Sequence, residues 1–418
     1  MSRIDDLIKQ HSPDGVEYVE LAELFSMRNG YTPSKSDSAA WADGTVPWFR
    51  MEDIRENGRV LDRSIQHIAE TAVKGGRLFP ANSILVATSA TIGEHALIRV
   101  PHLSNQRFTS IALKPKYQDR FDIKFVFYYC FVLDEWCKGN TTVSSFASVD
   151  MAGFKKFRFP VPHLEVQREI VRVLDAFAEL EAELEAELEA ELEARQQQYA
   201  HYRDMSLSIS ESNRVASLRL GELAGVGFFR DGDWVESKDQ DPNGTVRLTQ
   251  LADVGEGVFR DRSRRWMRED QACRLNCTFL EPGDVLIARM PDPIGRACQV
   301  PDGIGQAVTV VDVAVLRSRR DDVLPRYIMH ALNSFEVRRR IVSLQVGGTR
   351  QRITRRNLET IEIPIPSLRQ QREIVDMLDR FETLVNDLSY GLPAEIEARR
   401  QQYAYYRDRL LTFKEKAA

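Results

Sequence analysis

The stretches RDRSRRW (260–266), ARMPDPIGR (288–296) and GGTRQRITRR (347–356) set arginines and a glutamine among residues that favour loops. Such side chains are hydrogen-bond donors: Arg forks onto guanine or phosphate, Gln onto adenine, Ser and Thr onto phosphate. WFRME (48–52), TSATIG (88–93), SNQRFT (104–109) and NTTVSS (140–145) offer similar side chains earlier in the chain. Catalytic patterns are missing. There is no N/D/S-P-P-Y/F/W, the adenine-methylation motif, no G-x-G-x-x-G, and no G-x-x-x-x-G-K-S/T to cradle phosphates. Pro291-Asp292 has no suitably spaced acid-x-Lys after it, since Glu236-Ser-Lys238 lies upstream. The seven His lack ligand spacing, and Cys273 and Cys277 lack a second Cys/His pair, so no metal site is expected. The chemistry on offer is recognition.

Composition leaves nucleic acid open. The net charge is −5, but residues 163–212 hold 4 basic and 13 acidic side chains, leaving 53 and 49 elsewhere. A chain of 418 residues is too long for one ordinary core. No apolar run is long enough to span a membrane, and MSRIDDLIKQHSPDG has no apolar signal core, so the cytoplasm is expected. Five irregularly spaced Cys fit free thiols.

The donor loops sit in a duplicated chain. FPVPHLEVQREIVRVLDAF (159–177) recurs as IPIPSLRQQREIVDMLDRF (363–381), and EARQQQYAHYRD (193–204) as EARRQQYAYYRD (397–408), both shifted by 204. LFPANSILVATSATIGEHAL resembles FLEPGDVLIARMPDPIGRACQ, and WFRMEDIRENG resembles RLTQLADVGEG. Internal repetition of this kind organises the whole fold. Four domains follow: a variable block (1–162), a helical segment (163–212), a second block (213–366) and a second helical segment (367–418). SILVATSA, DVLIARM, FTSIAL and VTVVDVAVL read as strands. KFVFYYCFVLDEWC (124–137) and LPRYIMHALNSFEVRRRIV (324–342) read as helices, making each block α/β. Ser367 with Gln370 forms a capping box.

AELE occurs four times in succession within 178–193. Leu180, Leu184, Leu188 and Leu192 form an apolar ladder, matched at the 204 shift by Leu384, Leu388, Leu392 and Ile396. Glutamates recur at i,i+4 with no Lys between them, which destabilises a lone helix, so a partner helix is required. Antiparallel pairing of the two long helices places similar α/β heads at the ends of a dumbbell with approximate twofold symmetry. Pro393 predicts an interruption of the second helix near Gly391. Each tetrapeptide adds about 6 Å of helix, so the repeat is a ruler.

On the paired FPVP/IPIP–QREI and RQQQYAHYRD/RRQQYAYYRD segments, the chain resembles the specificity (S) subunit of type I restriction–modification systems over nearly its whole length. The resemblance implies that each α/β head is a target-recognition domain for half of a bipartite, asymmetric site in double-stranded DNA. It implies two modification subunits, which carry S-adenosylmethionine and methylate adenine N6, and leaves room for restriction subunits using ATP and Mg. This chain itself is then neither an enzyme nor a cofactor carrier. The expected DNA contacts are Arg50, Ser89, Thr91, Gln106 and Arg107 in the first head. In the second they are Arg262, Arg264, Arg289, Arg350, Gln351 and Arg352. Tyr199, Tyr202, Tyr403 and Tyr406 are candidates for partner docking, with burial between the helices as the alternative. A coiled-coil adaptor with two protein-binding heads is the competing reading.

Overall fold

A computed structural model describes residues 2–142, 147–212, 215–291, 293–347 and 351–417. It separates into two compact units, Met1–Glu185 with Ile396–Ala418, and Ala186–Glu395. The boundary falls inside both long helices, so each unit is one head with parts of both.

Unit 1 runs through α1 (Ser2–His11), β1 (Glu17–Glu20), β2 (Phe25–Asn29), β3 (Val46–Phe49), α2 (Met51–Asn57), β4 (Ser83–Ala87), β5 (His95–Ile98), β6 (Leu103–Ser104), β7 (Phe108–Leu113), α3 (Ile123–Gly139) and β8 (Arg158–Val161) into α4 (Leu164–Ser212). The main sheet has the order β2-β7-β4-β5, with Val60–Leu61 at its edge. β3 pairs parallel with β6, and β1 pairs antiparallel with β8. Every residue of β4 is buried. Its side chains alternate: Ile84 and Val86 join the cluster around α3, while Leu85 and Ala87 join a second cluster with Trp48 and Phe49. A strand covered on both faces needs an unbroken apolar run, and SILVA supplies it.

Unit 2 repeats the plan with β9 (Ser217–Arg219), β10 (Phe228–Asp231), β11 (Val246–Thr249), β12 (Val285–Ala288), β13 (Ala297–Gln299), β14 (Ala307–Thr309), β15 (Val313–Arg317), α5 (Pro325–Leu332), α6 (Phe335–Ser343), β16 (Glu362–Pro364) and α7 (Leu368–Leu410). The sheet order is β10-β15-β12-β13; β11 is parallel to β14, and β9 is antiparallel to β16. In β12, Val285 and Ile287 face one cluster, Leu286 and Ala288 another. The sequence duplication is a duplication of fold. The expected helix over 324–342 breaks at Asn333, whose side chain leaves the helix to bond both the N–H (3.0 Å) and the carbonyl (2.8 Å) of Ala297 on the sheet edge.

The QREI motif is the joint between head and helix. Gln167 is fully buried, donates to the carbonyls of Arg120 (2.8 Å) and Pro162 (2.7 Å), and accepts from Asp122 N–H at 2.9 Å. Gln371 makes the same three bonds, to Asp322 and Pro366 (2.8 Å each) and from Leu324 N–H at 2.9 Å. The expected capping box forms as well: Gln370 N–H donates to Ser367 Oγ at 3.4 Å, and Ser367 N–H to Gln370 Oε1 at 3.2 Å.

α4 is unbroken for 49 residues. The expected interruption of α7 does not occur: the helix runs 43 residues straight through Pro393. Pro393 removes one donor from the ladder, yet the helix continues on both sides of it. Inside unit 1 the helices are antiparallel, with Phe177 stacked on Tyr406 (6.2 Å) and, further along α4 and earlier in α7, Glu185 bonded to Arg400 (2.8 Å). Inside unit 2 Tyr202 stacks on Phe381 at 5.0 Å.

The leucine ladder is not the buried seam expected. Leu184, Leu188, Leu192, Leu392 and Ile396 are half-buried, Leu180 and Leu384 are about 60% exposed (61% and 60%), and the Leu388 side chain lies outside what is described. A four-residue period overshoots the 3.6-residue turn by about 40° per step, so the stripe walks off the contact face.

Candidate nucleic-acid interface

Three loops of the first head converge because their strands end together. β3 and β6 are parallel, so the chain leaves both in the same direction, at Arg50 and at Asn105–Arg107. The Asn105 N–H donates to the carbonyl of Phe49 (3.1 Å), and the Thr88 N–H to that of Arg107 (2.9 Å). These bonds join the loops after β3, β6 and β4, and so gather Arg50, Ser89, Thr91, Gln106 and Arg107. Gln106 and Arg107 are exposed; Arg50, Ser89 and Thr91 are half-buried. Buried Asp53 anchors the first loop, accepting from the N–H groups of Arg50 and Ile65 at 2.6 Å each. The Arg50 guanidinium lies over the Trp48 ring at 5.7 Å, and Gln106 is held by the Thr32 hydroxyl. Ala90 is left-handed (φ 66°), a strained conformation for a residue with a Cβ.

The second head builds the same junction from the same bonds. Val310 N–H donates to Thr249 (3.2 Å) and Arg289 N–H to Asp312 (2.9 Å). Buried Asp253 accepts from the N–H groups of Gln250 (2.7 Å), Arg262 (2.6 Å) and Ser263 (2.7 Å). The true register is therefore Asp53 on Asp253, one residue from the alignment of WFRMED with RLTQLA. Gln250 stands where Arg50 stands, Val311 and Asp312 where Gln106 and Arg107 stand, and Arg289 matches Thr88.

That last match corrects the expectation for Arg289. It is 9% exposed, and its guanidinium bonds Asp231 (2.5 Å) and the carbonyls of Val311 (3.0 Å) and Ile353 (3.1 Å). It clamps the loops from inside. Arg262 and Arg264 are exposed beside the Asp253 anchor, with Arg264 leaning on Asp261 (3.3 Å). Gln351 and Arg352 are exposed and precede Ile353, whose N–H bonds the Arg289 carbonyl at 3.0 Å. Arg350 lies outside the described residues. Sequence reasoning missed Gln250 and Trp234, and took Arg265 only as part of the RDRSRRW loop. With Asp233, Glu236 and Asp312 they line a cleft, and Trp234 is 71% exposed. Burial pushes the Asp233 carboxyl up.

The tyrosines expected to dock partners pack within their own units. Tyr199 faces His330 Nδ1 at 3.3 Å, Tyr403 packs against the α3 cluster, and Tyr202 and Tyr406 stack as described. Near Tyr199, Arg326 binds Asp379 (2.8 Å) and Glu382 (2.6 Å), and His330 Nε2 lies 2.9 Å from Asp379. Burial holds the His330 imidazole below its ordinary value and raises Glu382 to about 7. The histidines are not all scattered in space: His11 and His163 meet Glu165, and His330 meets Asp379 and Glu382. Among the described residues no helix is long and apolar enough to cross a membrane.

Residues 13–194 and 216–398 each match the model of the type I restriction modification DNA specificity domain. The chain is 42% identical over 398 residues to the EcoprrI type I restriction enzyme specificity subunit of Escherichia coli, covering 93% of each chain. It is 33% identical over 273 residues to a Haemophilus influenzae protein described as a putative type I specificity subunit, covering 64% of this chain and 66% of that one. Among solved structures, one from a study of type I R-M assembly and conformational transition matches with a TM-score of 0.70 at 19% identity, covering 95% of this chain and 97% of that one. The HsdS subunit from Thermoanaerobacter tengcongensis matches with a TM-score of 0.56 at 18% identity, covering 95% and 96%.

Proposed function

The chain belongs to the type I restriction–modification DNA specificity family, and from that premise we propose that each head reads one half of a bipartite, asymmetric duplex site. As a member it is a DNA-recognition subunit and not itself a catalyst. One observation carries the division of labour: both heads hold three adjacent loops with the same buried aspartate and the same backbone bonds, yet display different side chains. Arg50 is replaced by Gln250 and Arg107 by Asp312, which changes donors suited to guanine into groups suited to adenine and cytosine. A common scaffold with exchanged contacts is what reading two unlike half-sites requires.

Two modification subunits dock on the helical segments, one for each copy. Support comes from the duplicated apolar surface: Phe177 and Leu180 in unit 1 and Leu384 in unit 2 are 40%, 61% and 60% exposed. Those partners bring S-adenosylmethionine for adenine N6 methylation. Restriction subunits, where they join, bring ATP and Mg. The assembly works in the cytoplasm, and the AELE segment of α4 sets the gap between half-sites.

The test uses the chain assembled with its modification subunits on a duplex whose half-sites come from the methylome of the source organism. Gln106→Ala and Arg107→Ala weaken binding by about 1–3 kcal/mol each and relax selection in one half-site. Equal relaxation of both halves, or no change in either, would refute the reading.

A further inference from the structure

At one pair of positions the shared loop scaffold carries side chains of opposite character in the two heads. Gly30 and Gly232 pass so close to the neighbouring loop that a Cβ would collide with the carbonyl oxygen of Asn105 in the first head and of Val310 in the second. One residue on, the Tyr31 N–H donates to the Ser104 carbonyl and the Asp233 N–H to that of Thr309, at 2.8 Å each. Thr32 therefore matches Trp234, as Gln106 matches Val311. In the first head the pair is polar, with the Thr32 hydroxyl holding Gln106. In the second it is apolar, and Trp234 is 71% exposed. We propose that Trp234 and Val311 pack on the 5-methyl group of a thymine in the second head's half-site, an inference that rests on that head reading DNA.

The methyl is the apolar mark of thymine on the major-groove edge, and apolar side chains recognise it. Glu236 already accepts from the Trp234 indole N–H at 3.3 Å, which leaves the ring to make apolar contact. The Val311 carbonyl accepts from Arg289 at 3.0 Å, so its loop is fixed before DNA arrives. Leu251 and Ala252 extend the apolar wall of the same cleft, and Gln250 lines it as well. An A·T pair satisfies both characters, with the amide on adenine and the apolar wall on the methyl. Phosphate is the wrong occupant. Asp233, Glu236 and Asp312 line the cleft against one arginine, Arg265, and carboxylates repel an anion.

The experiment assembles the full-length chain with its modification subunits and measures binding to the methylome-derived duplex. Exchange of residues 213–366 identifies the second head's half-site. Each thymine of that half, on either strand, is then replaced in turn by deoxyuridine, which lacks only the methyl. At one position the parent should lose about fourfold in affinity, the worth of one buried methyl. Trp234→Ala should bind the thymine and uracil duplexes equally, and Trp234→Phe should keep the preference. Both variants should melt like the parent, because the ring is exposed. Uracil tolerated at every position by the parent, or a thymine preference that survives in Trp234→Ala, overturns the proposal. A half-site with no thymine on either strand overturns it too. In each of those cases, base-pair changes in that half-site that still abolish binding leave the division of reading between the heads intact. Were such changes also without effect, the reading on which the proposal rests would fail with it.

Discussion

Asp175 and Asp379 hold the two heads to their helices by matched but chemically different bonds. Asp175 accepts from Lys124 (2.6 Å) and the Tyr128 hydroxyl (2.8 Å), whereas Asp379 accepts from Arg326 (2.8 Å) and lies 2.9 Å from His330 Nε2. The acids are one position in the duplicated helix, and each pair of partners stands four residues apart on the equivalent head helix. Only the second head places an imidazole there, and burial holds it below its ordinary value.

Unit 2 should therefore carry a pH dependence that unit 1 lacks at this joint. Burial lowers the His330 value in the folded state, so below about 6.5, the unfolded value, the unfolded chain takes up a proton that the fold resists. Stability is lost as pH falls from there toward the folded value. Glu382, raised to about 7, acts in the opposite sense, gaining a proton in the fold as pH falls through 7 toward 4.5. Comparing the parent with His330→Asn separates the two. The stability difference between them, read from urea melts, should shift against the parent between pH 7 and pH 5. A constant difference would show that His330 carries no such linkage.

Asp253→Asn should damage recognition through the backbone. The carboxylate accepts three N–H groups from the loops at Gln250, Arg262 and Ser263. An amide sets a donor against at least one donor, costing about 1–3 kcal/mol for the group left unpaired. Reduced thermal stability together with weaker binding at one half-site is expected. Unchanged stability would disprove the anchor.

Arg289→Ala should behave as a folding variant. Losing the guanidinium strips Asp231 and two loop carbonyls of their donor, a loss of about 2 kcal/mol or more. Gln250→Ala should instead leave the melting temperature nearly unchanged and relax one half-site. The opposite pattern in the two variants would mean that the loops have been assigned the wrong way round.

Deleting one AELE unit from α4 shortens the helix by about 6 Å, one to two base-pair steps of roughly 3.4 Å. Both half-sites should survive with a shorter gap, as methylome sequencing will show. An unaltered gap would dispose of the ruler.

Most of the architecture was legible because it was written twice. Strands such as SILVA and the QREI segments declared themselves by pattern, and the 204 shift made each copy a check on the other. What escaped depended on atoms remote in sequence. Arg289 looks like a surface donor until its Thr88-equivalent place inside the loop junction is seen. Gln250 hides in an alignment one residue off register. Leu180 and Leu384 fit the ladder by spacing, yet the four-residue period carries them to the surface. Pro393 reads as a helix breaker, yet α7 runs through it. His11 meets Glu165 across 154 positions, which no local spacing announces.

The division of reading between the heads is tested most directly by replacing residues 213–366 with the second block of another specificity subunit and sequencing the methylome of cells carrying the chimaera. One half-site should change to that of the donor while the other half persists. Loss of both halves, or retention of both, would contradict the account.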